Sequence, residues 1–92
     1  MTQRIFTPAD IVAIRETLTA VRKTRRDRKQ TQADGFENTA HFKVMQIHDL
    51  NKSQVYAIFL LAAHLTDEQI ITNLNRLSGD MTVGQIEDMY GL

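Results

Sequence analysis

Apolar residues recur at helical spacing early in the chain. Ile11, Ile14, Leu18 and Val21 are separated by three, four and three positions and share one face. The stretch FTPADI just ahead supplies a start signal. Thr7 can cap, Pro8 falls at the first helical position, where its missing N–H is harmless, and Asp10 lies three residues after the cap. Phe6 and Ile11 are placed to staple across that start. The same grammar returns twice. In LTDEQI, Thr66 and Gln69 form a capping box with Leu65 facing Ile70; in MTVGQI, Thr82 and Gln85 repeat it with Met81 facing Ile86. Helices are predicted to start near 8, 67 and 83.

The stretch SQVYAIFLLAAHL, from Ser53 to Leu65, is apolar nearly all round, the pattern of a central buried helix. It is followed by DEQIITNLNRL, with Ile70, Ile71, Leu74 and Leu77 on one side, and by the short VGQIEDMY; Gly79 and Gly91 suit the two C-terminal ends. Residues 35–50 are ambiguous. Phe42 and Val44 alternate as a strand would, with Met45 and Ile47 on the other face, while a short helix from Thr39 also fits. The alternation favours a strand over 42–48, which would need a partner such as part of 28–37. The predicted class is a mostly α single domain, with room for a two- or three-stranded antiparallel sheet around 28–48. Its parts are an amphipathic helix at 7–24, a basic arm or helix extension at 22–35, a central apolar helix at 53–65 and a helical hairpin at 67–90.

Composition narrows the class without naming a task. At 92 residues there is room for one core, and 42% apolar with 24% charged residues is ordinary for a globular chain. With no cysteine, disulfides, thiolate metal sites and a cysteine nucleophile are excluded, and a reducing, cytoplasmic location fits. MTQRIFTPAD lacks the apolar core of a signal peptide. The longest apolar run, VYAIFLLAA, is nine residues, against roughly 20 for a membrane-crossing helix. A soluble protein with no membrane partner is expected.

Charge changes the picture. The formal net charge is zero, yet residues 1–30 hold eight Lys/Arg against three acids, a balance of +5, and residues 31–92 carry −5. Six of the eight residues in RKTRRDRK (22–29) are basic, and no large apolar side chain occurs between 22 and 35. Continuing the apolar stripe beyond Val21 puts Arg25 and Arg28 where core residues should stand. Either the helix runs past the core as a basic rod or it frays after about residue 24. On a continuous helix Arg15, Arg22, Arg26 and Lys29 fall on one side, with Lys23, Arg25 and Arg28 widening the positive surface. Arginine's planar fork suits phosphate and stacks on bases. Clustered cations that gain nothing from the core require an offsetting partner.

Catalytic sets are missing. The two serines, Ser53 and Ser78, fall at cap and turn positions, and no nucleophile elbow, phosphate-cradling loop or dinucleotide fingerprint occurs. His41, His48 and His64 lack zinc-binding spacing, so no metal and no cofactor is expected. The tail from Leu65 resembles a helix-turn-helix over about thirty residues, but its second helix is acidic and offers no Arg, Lys or Asn to base edges. An ordinary helical hairpin explains it better.

The leading expectation is therefore non-enzymatic binding of nucleic acid, or of a protein–nucleic acid complex, through Arg15, Arg22, Lys23, Arg25, Arg26, Arg28 and Lys29. The alternative is a small inhibitor or adaptor docking on a single protein, such as a phage-encoded antagonist of a host nucleic-acid machine (an anti-CRISPR protein, for example). A third is a structural module forming homo-oligomers along the apolar helix at 55–65.

Overall fold

Local capping sets where the helices begin. The computed structural model describes residues 4–27 and 40–92, with the backbone alone for 24–27. Among them stand five α-helices and no strand: α1 Pro8–Asp27, α2 Ala40–Ile47, α3 Lys52–Phe59, α4 Asp67–Leu74 and α5 Val83–Met89. All three predicted starts hold. Thr7 and Asp10 bond each other's backbone N–H groups, at 2.8 and 3.3 Å, and closed capping boxes join Thr66 to Gln69 and Thr82 to Gln85. A fourth box, Asn51 with Gln54, opens α3.

Two expectations are corrected. The strand over 42–48 is helix α2, and its supposed partner in 28–37 lies outside the described residues. Alternation there does not make two buried faces: Val44 is buried and Ala40 and Met45 pack on the core, while Ile47 is 54% exposed. Positions 40, 44 and 45 are a helical stripe. The helix closes in a Schellman turn, with Leu50 N–H on Met45 O at 2.9 Å, Asp49 N–H on Gln46 O at 3.4 Å, and Asp49 left-handed at φ 54°. Gly91, at φ 75°, closes α5 in the same way. The second correction concerns the apolar run. It is not one helix over 53–65: α3 ends at Phe59 and a short 3₁₀ turn, Leu61–Ala63, leads into the Thr66 cap.

The core gathers one face from every helix. Ile11 and Ile14 of α1, Val44 of α2, Ile58 of α3, Leu61 of the 3₁₀ turn, Ile70 and Leu74 of α4 and Ile86 of α5 are all at most 2% exposed. α1 packs most extensively on α2, and α5 lies mainly against α3. It also meets α4 through Asn73 Nδ2 on Met89 O at 2.9 Å and Tyr90 Oη on Ile70 O at 2.6 Å.

Side chains distant in sequence satisfy the carbonyls left open at helix C-termini. Arg4 Nη1 donates to His48 O at 2.6 Å and Asp49 O at 3.0 Å, with its guanidinium 4.6 Å above the Phe6 ring. Arg15 Nη2 donates to Ile58 O at 3.1 Å, at the end of α3. Gln54 Nε2 donates to Leu74 O at 3.1 Å and Asn51 Nδ2 to Leu77 O at 2.8 Å, at the end of α4. No buried side-chain nitrogen or oxygen among the described residues lacks a partner.

Candidate functional site

The α1 helix divides into a packed part and a basic part. Ile11, Ile14 and Leu18 are buried, Val21 is half-buried, and Arg22 and Lys23 are exposed. The helical backbone continues to Asp27, six residues beyond Val21, which is about 9 Å at the usual rise. Of the two outcomes left open by the sequence, the helix running past its last core residue is the one found. Arg25 and Arg26 occupy this helical extension; Arg28 and Lys29 lie outside the described residues.

Arg15 belongs elsewhere. Its Nη1 sits 2.7 Å from Asp67 Oδ1 while Nη2 holds Ile58 O, a clamp joining α1 to the end of α3 and the start of α4. The cation meets a helix C-terminus and the carboxylate lies in a first turn, so both charges suit the helix dipoles. Arg15, expected on the binding surface, takes part in this clamp while keeping a third of its side-chain surface exposed. Arg22, two turns further along the same helical face, is the first of the set to stand exposed.

A groove opens between α2 and α3. Its volume is about 280 Å³ and it is lined by His41, Lys52, Val55, Tyr56, Phe59 and Leu60. Leu60 is 57% exposed, and Tyr56 and Phe59 are half-buried. The His41 ring meets the Phe59 ring edge to face, with centroids 5.1 Å apart and an interplanar angle of 81°. Burial, and secondarily the positive charge of Arg22, hold the His41 imidazolium pKa below the ordinary 6.5. Both effects favour the neutral form of the ring. A smaller cavity of about 190 Å³ lies on the other side of Tyr56, toward Met81, Val83 and Ile86.

Several other polar groups among the described residues bond within the fold. Thr17 Oγ1 donates to Ala13 O at 2.9 Å, which leaves His48 Nε2, 2.7 Å away, as the donor to that oxygen. Ser53 Oγ donates to Ser78 O, and Ser78 Oγ bonds Asp80 Oδ1 at 2.7 Å, the main reason that carboxyl titrates below its usual range. No group of three His, Asp or Glu able to hold a metal occurs among the described residues. No helix among them is long and apolar enough to cross a membrane.

The sequence did not disclose the groove, because an all-round apolar run reads as wholly buried. The chain matches no protein-family model, no curated protein and no solved structure.

Proposed function

We propose that the protein binds nucleic acid, free or within a protein complex, through the basic end of α1, and that it does so without catalysis. The observation that carries this reading is the run of helix beyond Val21. Arg22 and Lys23 are exposed on it, the helical positions of Arg25 and Arg26 follow, and the sequence adds Arg28 and Lys29. A helix holds such charges at fixed spacing despite their repulsion, and an anionic lattice of phosphates relieves it by releasing counterions. Arg15 is left out of this proposal because its terminal nitrogens already hold Asp67 and Ile58 O.

The test is the triple variant Arg22→Gln, Arg26→Gln, Lys29→Gln, titrated into a labelled oligonucleotide at several salt concentrations. The dependence of log affinity on log salt should flatten by about 0.9 per lost phosphate contact on duplex and about 0.7 on a single strand. Affinity should fall most at low salt, and the melting temperature should stay within a degree or two of the parent. Unchanged affinity would reduce the basic run to a solvated helix end. Loss of folding would show that these side chains are structural.

A further inference from the structure

We propose that the Arg15 guanidinium is a latch that sets where α3 ends. While it holds, the helix breaks after Phe59; on its release, residues 60–65 wind onto α3 as one unbroken helix. The latch works whatever the basic end of α1 binds.

Nothing local explains the break. From Ser53 to Leu65 the chain holds no Gly and no Pro, and Leu60, Leu61, Ala62 and Ala63 stand at the favourable end of the helix scale. Leu60 keeps a right-handed helical backbone, with φ −101° and ψ −36°, and Leu61–Ala63 is a 3₁₀ turn, the tighter relative of the α-helix. Burial does not forbid continuation either. Ile58, Leu61 and Leu65 follow one another at three and four positions, so buried Leu61 would share the core face of Ile58 in an unbroken helix.

The contact that opposes continuation comes from α1. An unbroken helix delivers the Ala62 N–H to Ile58 O; that oxygen accepts Arg15 Nη2 at 3.1 Å. The other arm of the same guanidinium holds Asp67 Oδ1 at 2.7 Å, so Ile58 and Asp67, nine positions apart, meet one planar group. A helix running on to Leu65 places that residue about 10 Å along the axis from Ile58. Only Thr66 then remains to bring the chain back, and its extended backbone already caps α4. The two-armed clamp and the unbroken helix therefore compete. Both arrangements keep one apolar face inward and trade the clamp against helical hydrogen bonds, the close balance of a two-state element. Arg15 keeps 33% of its side-chain surface, so the latch is open to solvent. Its release cuts the polar link from α1 to the start of α4.

Arg15→Ala and Arg15→Met test the latch in the full chain; Met keeps an apolar stem and offers no donor. In both, backbone chemical shifts of residues 60–63 should move to α-helical values. The Ala62 amide should exchange with solvent roughly tenfold more slowly, the factor one net hydrogen bond supplies. Amides in the middle of α1 and α4 should exchange faster, because the protein is less stable without the clamp. A purely stabilising role for Arg15 would speed every amide together, so Ala62 separates the two. Folded variants that retain the 3₁₀ shifts at residues 61–63, or that exchange faster at Ala62, would overturn the latch. If both variants unfold, relaxation dispersion on the parent protein decides. Exchange on the μs–ms scale at residues 60–65, with α-helical shifts in the minor state, supports the latch, and flat profiles overturn it.

Discussion

Arg15 and Arg22 are chemically alike, lie two turns apart on one helix, and should fail in opposite ways. Arg15→Ala removes the contacts to Asp67 Oδ1 and Ile58 O. Hydrogen bonds to buried charged groups contribute about 1.5–3 kcal/mol, and exposed ion pairs about 0.2–1 kcal/mol. The two side chains keep 33% and 26% of their surface, so solvent screening places the loss between those ranges, at about 1–2 kcal/mol. In a domain of this size that lowers the melting temperature by about 5–15 °C. Arg15→Lys keeps the charge but loses the fork that reaches two acceptors, and should fall between parent and Ala. Arg22→Gln should change stability by under about 0.5 kcal/mol and weaken oligonucleotide binding. Thermal melts followed by circular dichroism, paired with fluorescence anisotropy on the same samples, read both axes. If Arg15→Ala melts with the parent yet loses binding as Arg22→Gln does, the clamp reasoning is wrong.

Three further outcomes follow from the packing and the helix ends. Leu61→Ala should cost about 2–5 kcal/mol in urea unfolding, because Leu61 is 2% exposed, whereas half-buried Phe59→Ala should cost less. Asp49→Gly should raise stability by about 0.5–1 kcal/mol, since Asp49 holds a left-handed φ of 54° at the close of α2; a lower melting temperature would refute the strain argument. Burial raises the Tyr90 hydroxyl from 10.0 to about 12. Its neutral form is the one stabilised by folding, so that contribution is intact below pH 10 and fades as pH rises toward 12. Tyr90→Phe should be less stable at neutral pH and should lose much of this alkaline slope.

Helix starts were legible in the sequence because a cap and its partner lie three residues apart, as at Thr66 and Gln69. The end of α5 was legible at Gly91, but the ends of α2 and α3 were not, for the complementary reason. The carbonyls closing α2 and α3 are satisfied by Arg4 and Arg15 from 44 and 43 residues away, and nothing local announces such a pairing. The break after Phe59 was hidden for that reason, and α3 appeared to start at Ser53 because its cap is an amide, Asn51, rather than a hydroxyl. For α2, a run of eight residues fits either period; arbitration came from Val44 entering the core and from Asp49 tolerating a left-handed turn. On the site, charge at Arg22 and Lys23 was readable, while the ion pair of Arg15 with Asp67 was not, because spacing does not show which guanidinium faces a carboxylate 52 residues away. The groove required knowing which side of α3 remains uncovered.

The Arg15 clamp also orders events during synthesis. As the chain leaves the ribosome, α1 appears with Ile11, Ile14 and Leu18 showing, but its guanidinium cannot find Asp67 until 52 further residues have been translated. The capping pairs of α1, α4 and α5 each close within a single turn of newly emerged chain, whereas the clamp cannot. The nascent N-terminal helix thus waits for its cover, with a sticky stripe and a heavily positive end on one rod, beside ribosomal RNA. Nascent-chain folding should therefore complete in one late step after residue 67 has emerged, rather than helix by helix from the N-terminus.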